Sequence, residues 1–113
     1  MKDKNAVVLE KILNEISIAH SMMGSCTIER FQDDEMVKRA VSMTIINIGE
    51  LVKNLDMDFR EKHPQVPWKA IAGFRDIAAH KYQTLRMEDV YVTAKDELPV
   101  LAEEIEAILK EGM

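Results

Sequence analysis

Apolar residues recur every three or four positions along two long stretches of this chain, which is the spacing of an amphipathic helix. The first stretch runs from about Lys4 to Met23 and ends at Gly24-Ser25. The second runs from about Asp33 to Leu55, and Asp33 and Asp34 stand where carboxylates cap a helix at its amino end. We expect the second helix to be the central one.

The remaining half predicts shorter helices. Residues 56–67 mix charges with two prolines and indicate a connector. A helix is expected from Trp68 to Tyr82, with a bend at Gly73. A last helix is expected from Glu88-Asp89 to about Lys110, and Pro99 inside it predicts a kink.

Composition agrees with this pattern. The chain has 113 residues with only three prolines, four glycines and 5% aromatic residues, which favours helices over a turn-rich β fold. We therefore expect an all-α protein, an antiparallel up-down bundle of four to five helices forming a single domain over residues 1–113.

The charge is distributed unevenly. The chain carries a formal charge of −5, yet residues 60–86 contain six cations and two anions, so this segment is +4 and the remainder −9. Either this is a chance local excess, or it provides an electropositive floor for an anionic substrate, with Lys69 and Lys81 helping to bind it.

The single cysteine, the absence of a signal-peptide pattern and the short apolar runs predict a cytoplasmic protein that does not enter a membrane.

Candidate chemistry is concentrated in residues 75–82. Arg75 offers a planar set of donors that fits phosphate oxygens, and His80 can exchange a proton near neutral pH. Asp76 stands four residues before His80 and is expected to orient the imidazole, while Tyr82 is seven residues from Arg75 and nearly in line with it.

The two principal groups cannot share one helical face. A five-residue step turns a helix by about 140°, so Arg75 and His80 point in different directions within one copy. Two copies paired across a two-fold axis would let each arginine face the other copy's histidine, which predicts a composite site. Individually, each residue also has a structural interpretation: Arg75 and Asp76 as surface ions, His80 as a structural histidine and Tyr82 as core filling.

The residues around this segment resemble a known family. The segment from Pro64 to Asp76 (PQVPWKAIAGFRD), followed by His80-Lys81-Tyr82, is similar to HEPN-domain proteins, and most similar to the HepT-type toxins of HEPN-MNT toxin-antitoxin pairs. The likeness extends to Ile48-Gly49-Glu50 and to residues 96–101, and it covers most of the chain from about Ala40.

This resemblance implies a homodimer whose Arg75 and His80 form a metal-independent endoribonuclease site acting on RNA. It also implies that Tyr82 is the position where a partner nucleotidyltransferase antitoxin of the MNT type attaches AMP and silences the toxin. Asp76 departs from the family, in which asparagine is frequent after the arginine, and Gln83-Thr84 stands where many members have an aromatic residue and a glycine.

The alternatives to this toxin hypothesis are two. One is a non-catalytic HEPN module that binds RNA, a nucleotide or the partner nucleotidyltransferase, and the other is a plain helical scaffold.

The three histidines lack metal-ligand spacing and the glycines form no phosphate-binding loop, so we expect neither a metal nor a cofactor. Glu50, after Gly49 in the second helix, is expected either to line the cleft or to be solvated.

Overall fold

The computed structural model describes residues 3–112, and the outer ends of the expected domain, residues 1, 2 and 113, lie outside them. The described part is all-α, as the sequence predicts, and contains no strand. Its seven α-helices are α1 (Lys4–Met23), α2 (Ile28–Asp33), α3 (Glu35–Lys53), α4 (Met57–Lys62), α5 (Trp68–His80), α6 (Met87–Val92) and α7 (Leu98–Lys110). None of them combines the length and apolarity needed to cross a lipid bilayer.

Helix α3 is central, as expected, because α1 and α5 both pack along it. Helices α1 and α3 run antiparallel: Asn5 bonds to Asp56 beyond one end of α3, and Glu15 accepts a hydrogen bond from Asn47 within it. The core between the helices is aliphatic, and its fully buried members include Leu9, Ile12, Val41, Ile48, Val52, Val90 and Ile105. Burying such side chains, at roughly 1.5–3 kcal/mol each, is the main force that holds the bundle together.

Two six-residue helices were not predicted. Helix α2 follows Thr27, whose side chain accepts the Arg30 N–H, and α4 lies inside the expected connector. Each is shorter than two turns and buries a single phenylalanine, Phe31 or Phe59, so neither produces a repeating apolar pattern. Of the two expected caps, Asp34 caps α3 by accepting the Val37 N–H, whereas Asp33 ends α2.

Helix α5 begins at the expected residue and is fixed there by Trp68. This side chain is 5% exposed, and its indole N–H donates to the carbonyl of His63 at 3.0 Å. The helix continues without interruption through Gly73, where the sequence predicts a bend, and ends at His80. The bundle tolerates a glycine there without a break because tertiary packing overrides its weak helix propensity.

Helices α6 and α7 are joined by a π-helical turn over Thr93–Glu97. This turn lies just before Pro99, where the sequence predicts a kink. Pro99 has no N–H, and at the first turn of α7 it follows Leu98, whose N–H bonds back five residues to the Thr93 carbonyl. The wider turn accommodates the missing N–H of Pro99, so the chain stays helical from α6 through α7.

Candidate active site

Arg75 is positioned by an unusually close approach of α5 to α3. A Cβ placed on Gly49 would overlap the Cβ of Arg75, and it would lie 2.9 Å from the Arg75 Cγ and 3.1 Å from the Ile71 carbonyl oxygen. Only glycine therefore allows the two helices to meet here. The arginine side chain remains 24% exposed, so it lies at the edge of this contact.

Two carboxylates contact the Arg75 guanidinium. Nε lies 3.0 Å from Oε2 of Glu50, although its N–H does not point at that oxygen, so this contact is ionic rather than an aligned hydrogen bond. One Nη donates to Oδ1 of Asp76 at 3.1 Å. Glu50 therefore contacts Arg75 while its side chain stays 53% exposed to solvent.

Asp76 is held by Lys53 of α3, whose Nζ lies 2.5 Å from the same Oδ1. This hydrogen bond, and a weaker contribution from Arg75, lower the pKa of the Asp76 carboxyl. The expected contact between Asp76 and His80 is absent from the described part of the chain, because Lys53 and Arg75 take the carboxylate instead.

The charges around Arg75 are consequently balanced. Arg75 and Lys53 face Glu50 and Asp76, two cations against two anions. The electropositive floor predicted from the charge distribution does not form around Arg75 within one chain. Arg75 keeps further N–H donors beyond those that its neighbours use, since a guanidinium has five.

His80 lies at the other end of α5 and is exposed. The helix ends here, two residues earlier than predicted, because the Lys81 N–H bonds to the Ile77 carbonyl and the chain then turns at Lys81. The Lys81 carbonyl accepts from both the N–H and the hydroxyl of Thr84, which stabilises a 3-10 turn over Tyr82–Thr84.

Tyr82 therefore leaves the helical register, and its expected alignment with Arg75 is not formed. Its half-buried ring instead lies beneath Arg39 of α3, whose Cζ is 5.5 Å from the ring centroid. His80, Lys81 and Tyr82 line one shallow surface depression. Within residues 3–112 the Tyr82 hydroxyl makes no hydrogen bond.

The two lysines expected to bind substrate lie at opposite ends of α5. Lys69 is in the first turn and Lys81 follows the last residue, and both are exposed. A 13-residue helix is roughly 20 Å long, so the two amines do not share a site within one chain.

Sequence reasoning missed three contributors from α3: Lys53, Arg39 and the contact at Gly49. A glycine inside an apolar helical pattern is a usable signal, because it costs helix stability and so indicates close packing. Nothing in the local spacing connects Lys53 to Asp76 or Arg39 to Tyr82. Those contacts depend on how α5 docks on α3.

No cluster of three or more His, Cys, Asp or Glu side chains suited to a metal ion occurs among residues 3–112.

Comparison with known proteins gives one consistent description. The family model for HepT-like proteins, described as ribonuclease HepT-like, matches residues 12–108. The chain is 38% identical over 102 residues to a protein of Caldanaerobacter subterraneus subsp. tengcongensis named "Putative RNase", covering 90% of this chain and 91% of that one. It is 30% identical over 110 residues to "Probable ribonuclease HepT" of Thermococcus cleftensis, covering 97% and 100%. No solved structure matches the chain.

Proposed function

This chain belongs to the HepT-like ribonuclease family, and on that premise we propose that it is a metal-independent endoribonuclease toxin of a HEPN-MNT toxin-antitoxin system. Its site is composite: Arg75 of one protomer acts with His80 of the other. The observation that carries this proposal is the geometry of α5, which presents a half-buried, positioned arginine and an exposed histidine in different directions.

The surface between the two groups supports pairing of two copies. Ile77 is 54% exposed on α5 between Arg75 and His80. Apolar side chains in the middle of a reactive helix are suited to burial against a second copy. Such pairing would bring the exposed imidazole of one copy to the guanidinium of the other.

The chemistry follows from the two groups. A neutral His80 takes the proton from a ribose 2′-hydroxyl, and the resulting oxygen attacks the adjacent phosphorus. Arg75 stabilises the added negative charge on the phosphoryl oxygens. The bond to the 5′-oxygen of the next nucleotide breaks, that oxygen takes up a proton, and a 2′,3′-cyclic phosphate remains. Asp76 acts by holding Lys53 and Arg75, and Lys69 and Lys81 attract the RNA backbone.

The test is cleavage of an RNA oligonucleotide by the purified full chain in EDTA, beside an oligonucleotide with a 2′-deoxyribose at each position. We expect RNA cleavage with a cyclic phosphate end, no cleavage of the deoxy substrate, and a loss of about 10²- to 10⁴-fold in His80→Ala. Cleavage that stops in EDTA, or an equally active His80→Ala protein, would contradict the proposal.

Control of the toxin is assigned to Tyr82. Its hydroxyl attacks the α-phosphorus of ATP in a partner MNT-type nucleotidyltransferase, releasing pyrophosphate and leaving AMP on the ring beside His80. The half-buried ring and the unbonded hydroxyl support this position. Mass spectrometry of the chain produced with the transferase should show added AMP, and AMP persisting on Tyr82→Phe protein would refute the assignment.

One observation favours a second candidate, a non-catalytic HEPN module that binds RNA, nucleotide or the nucleotidyltransferase. Glu50 and Asp76 both contact Arg75 and compete with a substrate phosphate for it. RNA binding without any cleavage product, in the experiment above, would identify this second function.

A further inference from the structure

Arg39 on α3 lies across from the reactive end of α5. Its guanidinium carbon is 5.5 Å from the centroid of the Tyr82 ring, a distance at which a cation is attracted to the ring face. Tyr82 shares its surface depression with His80. Arg39 therefore brings a second guanidinium, from a different helix, against the ring of a residue that lines the same depression as the proposed general base.

Most of the donors on Arg39 remain available. Its Nε lies 3.0 Å from Oε2 of Glu35, and Lys38 contacts the other oxygen of the same carboxylate at 3.0 Å. These partners lower the pKa of Glu35, which keeps it ionised. In the described residues the two Nη groups of Arg39 make no hydrogen bond, so four N–H donors of the guanidinium are free to bind another anion.

The neighbouring carboxylate of Asp34 is already used. It caps α3 by accepting the Val37 N–H at 3.1 Å, and no ion pair joins it to Arg39 within residues 3–112. Glu35 is thus the one carboxylate that holds Arg39 in that part of the chain. It contacts only Nε, so the two Nη groups beside Tyr82 make no ion pair within residues 3–112.

We infer that Arg39 and Tyr82 form a phosphodiester subsite that binds the RNA backbone next to the nucleotide at His80. This inference rests on the proposed ribonuclease function and assigns it a longer substrate than the Arg75–His80 pair alone requires. The guanidinium binds the phosphate through its Nη groups, and the Tyr82 ring holds it in place. An RNA that spans both points gains affinity, whereas a dinucleotide with one phosphate does not.

The test uses binding of a ten-nucleotide single-stranded RNA by the full chain carrying His80→Ala, so that the ligand stays intact. Four proteins are compared: this parent and the same protein with Arg39→Gln, Glu35→Gln or Lys4→Gln. Lys4 begins α1 and pairs with Asp56 beyond the carboxyl end of α3, whereas Arg39 lies near the amino end of α3. Both cations are exposed and each has one carboxylate partner in the described residues, so Lys4→Gln is a matched loss of one charge. Affinity is measured against salt concentration.

With Arg39→Gln we expect the slope of log affinity against log salt to fall by about 0.7, the value for one lost phosphate contact on a single strand. Lys4→Gln should leave the slope unchanged, and Glu35→Gln should raise the affinity because it removes the competing carboxylate. Circular dichroism should show equal helicity in all four proteins, since Arg39 is an exposed side chain.

A second arm separates the subsite from general damage. With His80 intact, Arg39→Gln should reduce kcat/KM for the ten-nucleotide RNA but not for a dinucleotide. An AMP phosphate on Tyr82 would offer Arg39 the same chemistry, so the protein is produced without a nucleotidyltransferase and its mass confirms that Tyr82 is unmodified.

The outcomes are distinct. If the parent binds RNA and Arg39→Gln behaves as Lys4→Gln does, the subsite is refuted while the ribonuclease proposal stands. If the parent does not bind RNA and the protein with His80 intact does not cut it, the proposed function fails and the subsite fails with it.

Discussion

The two reactive positions of α5 differ in how the fold treats them. Arg75 is half-buried, lies against a glycine of α3 and contacts Glu50 and Asp76. His80 is exposed at the end of the helix, and no hydrogen bond or ion pair holds it within residues 3–112. One chain therefore positions the arginine but leaves the histidine side chain without a partner in residues 3–112, which is what the proposed site shared between two copies requires.

The largest expected effect is the recovery of RNA cleavage when two inactive variants, one at Arg75 and one at His80, are mixed. Arg75→Ala and His80→Ala proteins, each unfolded and refolded together, should form mixed dimers in which one composite site is intact and the other has lost both groups. Random pairing then returns about a quarter of the parent activity, a gain of roughly 10² over either variant alone. RNA cleavage by the mixture, relative to each variant refolded separately, gives the result.

The same mixing experiment can break the comparison. If both residues act within one chain, no mixture recovers activity, and the exposed His80 would have to reach its own Arg75. Size-exclusion chromatography with light scattering should show that the parent and both variants are dimers.

The helix contact at Arg75 predicts the next largest effect. Gly49→Ala adds a Cβ that overlaps Arg75, so α5 must move away from α3. Overpacking costs about 1–3 kcal/mol, offset by about 0.5–1 kcal/mol of gained helix propensity, so the free energy of unfolding should fall by about 1–2 kcal/mol. Urea denaturation measures it, and RNA cleavage should fall as well.

A control for this substitution is available on α5, the helix that carries Arg75. Nothing lies within 4 Å of a Cβ added at Gly73 on α5, so Gly73→Ala should stabilise the protein by up to about 1 kcal/mol. Equal effects of the two substitutions would mean that Gly49 has no special packing role.

The smallest expected effect is the pH dependence of the stability that the Asp76 carboxylate contributes. Its pKa is lowered below the usual 3.8 in the folded protein, first by Lys53 and then by Arg75. Its contribution to stability is therefore present above about pH 4 and lost as the pH falls through the folded pKa. The urea midpoints of the parent and Asp76→Asn should differ slightly at pH 7, and the difference should shrink as the pH falls below about 4. A constant difference across that range would show that the carboxylate charge is not involved.

Much of the fold could be predicted from the sequence because each long helix shows apolar residues recurring every three or four positions. Helix α1 has the expected ends, and α3 begins and ends within two residues of its prediction. The six-residue helices α2 and α4 are too short to show such a repeat. The end of α5 was placed at Tyr82 because nothing in the sequence marks the turn at Lys81, which the Thr84 side chain stabilises.

The contacts of the candidate residues were harder to predict than their places on the helix. The sequence singled out Arg75 and His80 as candidates, and both lie on the unbroken helix α5, where a five-residue step puts them on different faces. It wrongly joined Asp76 to His80, since a spacing of four allows a contact without requiring one. Lys53 and Arg39 reach α5 only through the packing of α3 against it, which no local pattern records.

The single tryptophan of the chain lies at the opposite end of α5 from His80. Because the buried Trp68 indole is bonded to the His63 carbonyl, its emission reports whether α5 is docked at its amino end. Intrinsic fluorescence can therefore be followed while substitutions are made near the carboxyl end of the helix. An unchanged emission maximum beside altered RNA cleavage would place the defect at the reactive end rather than in the attachment of the whole helix.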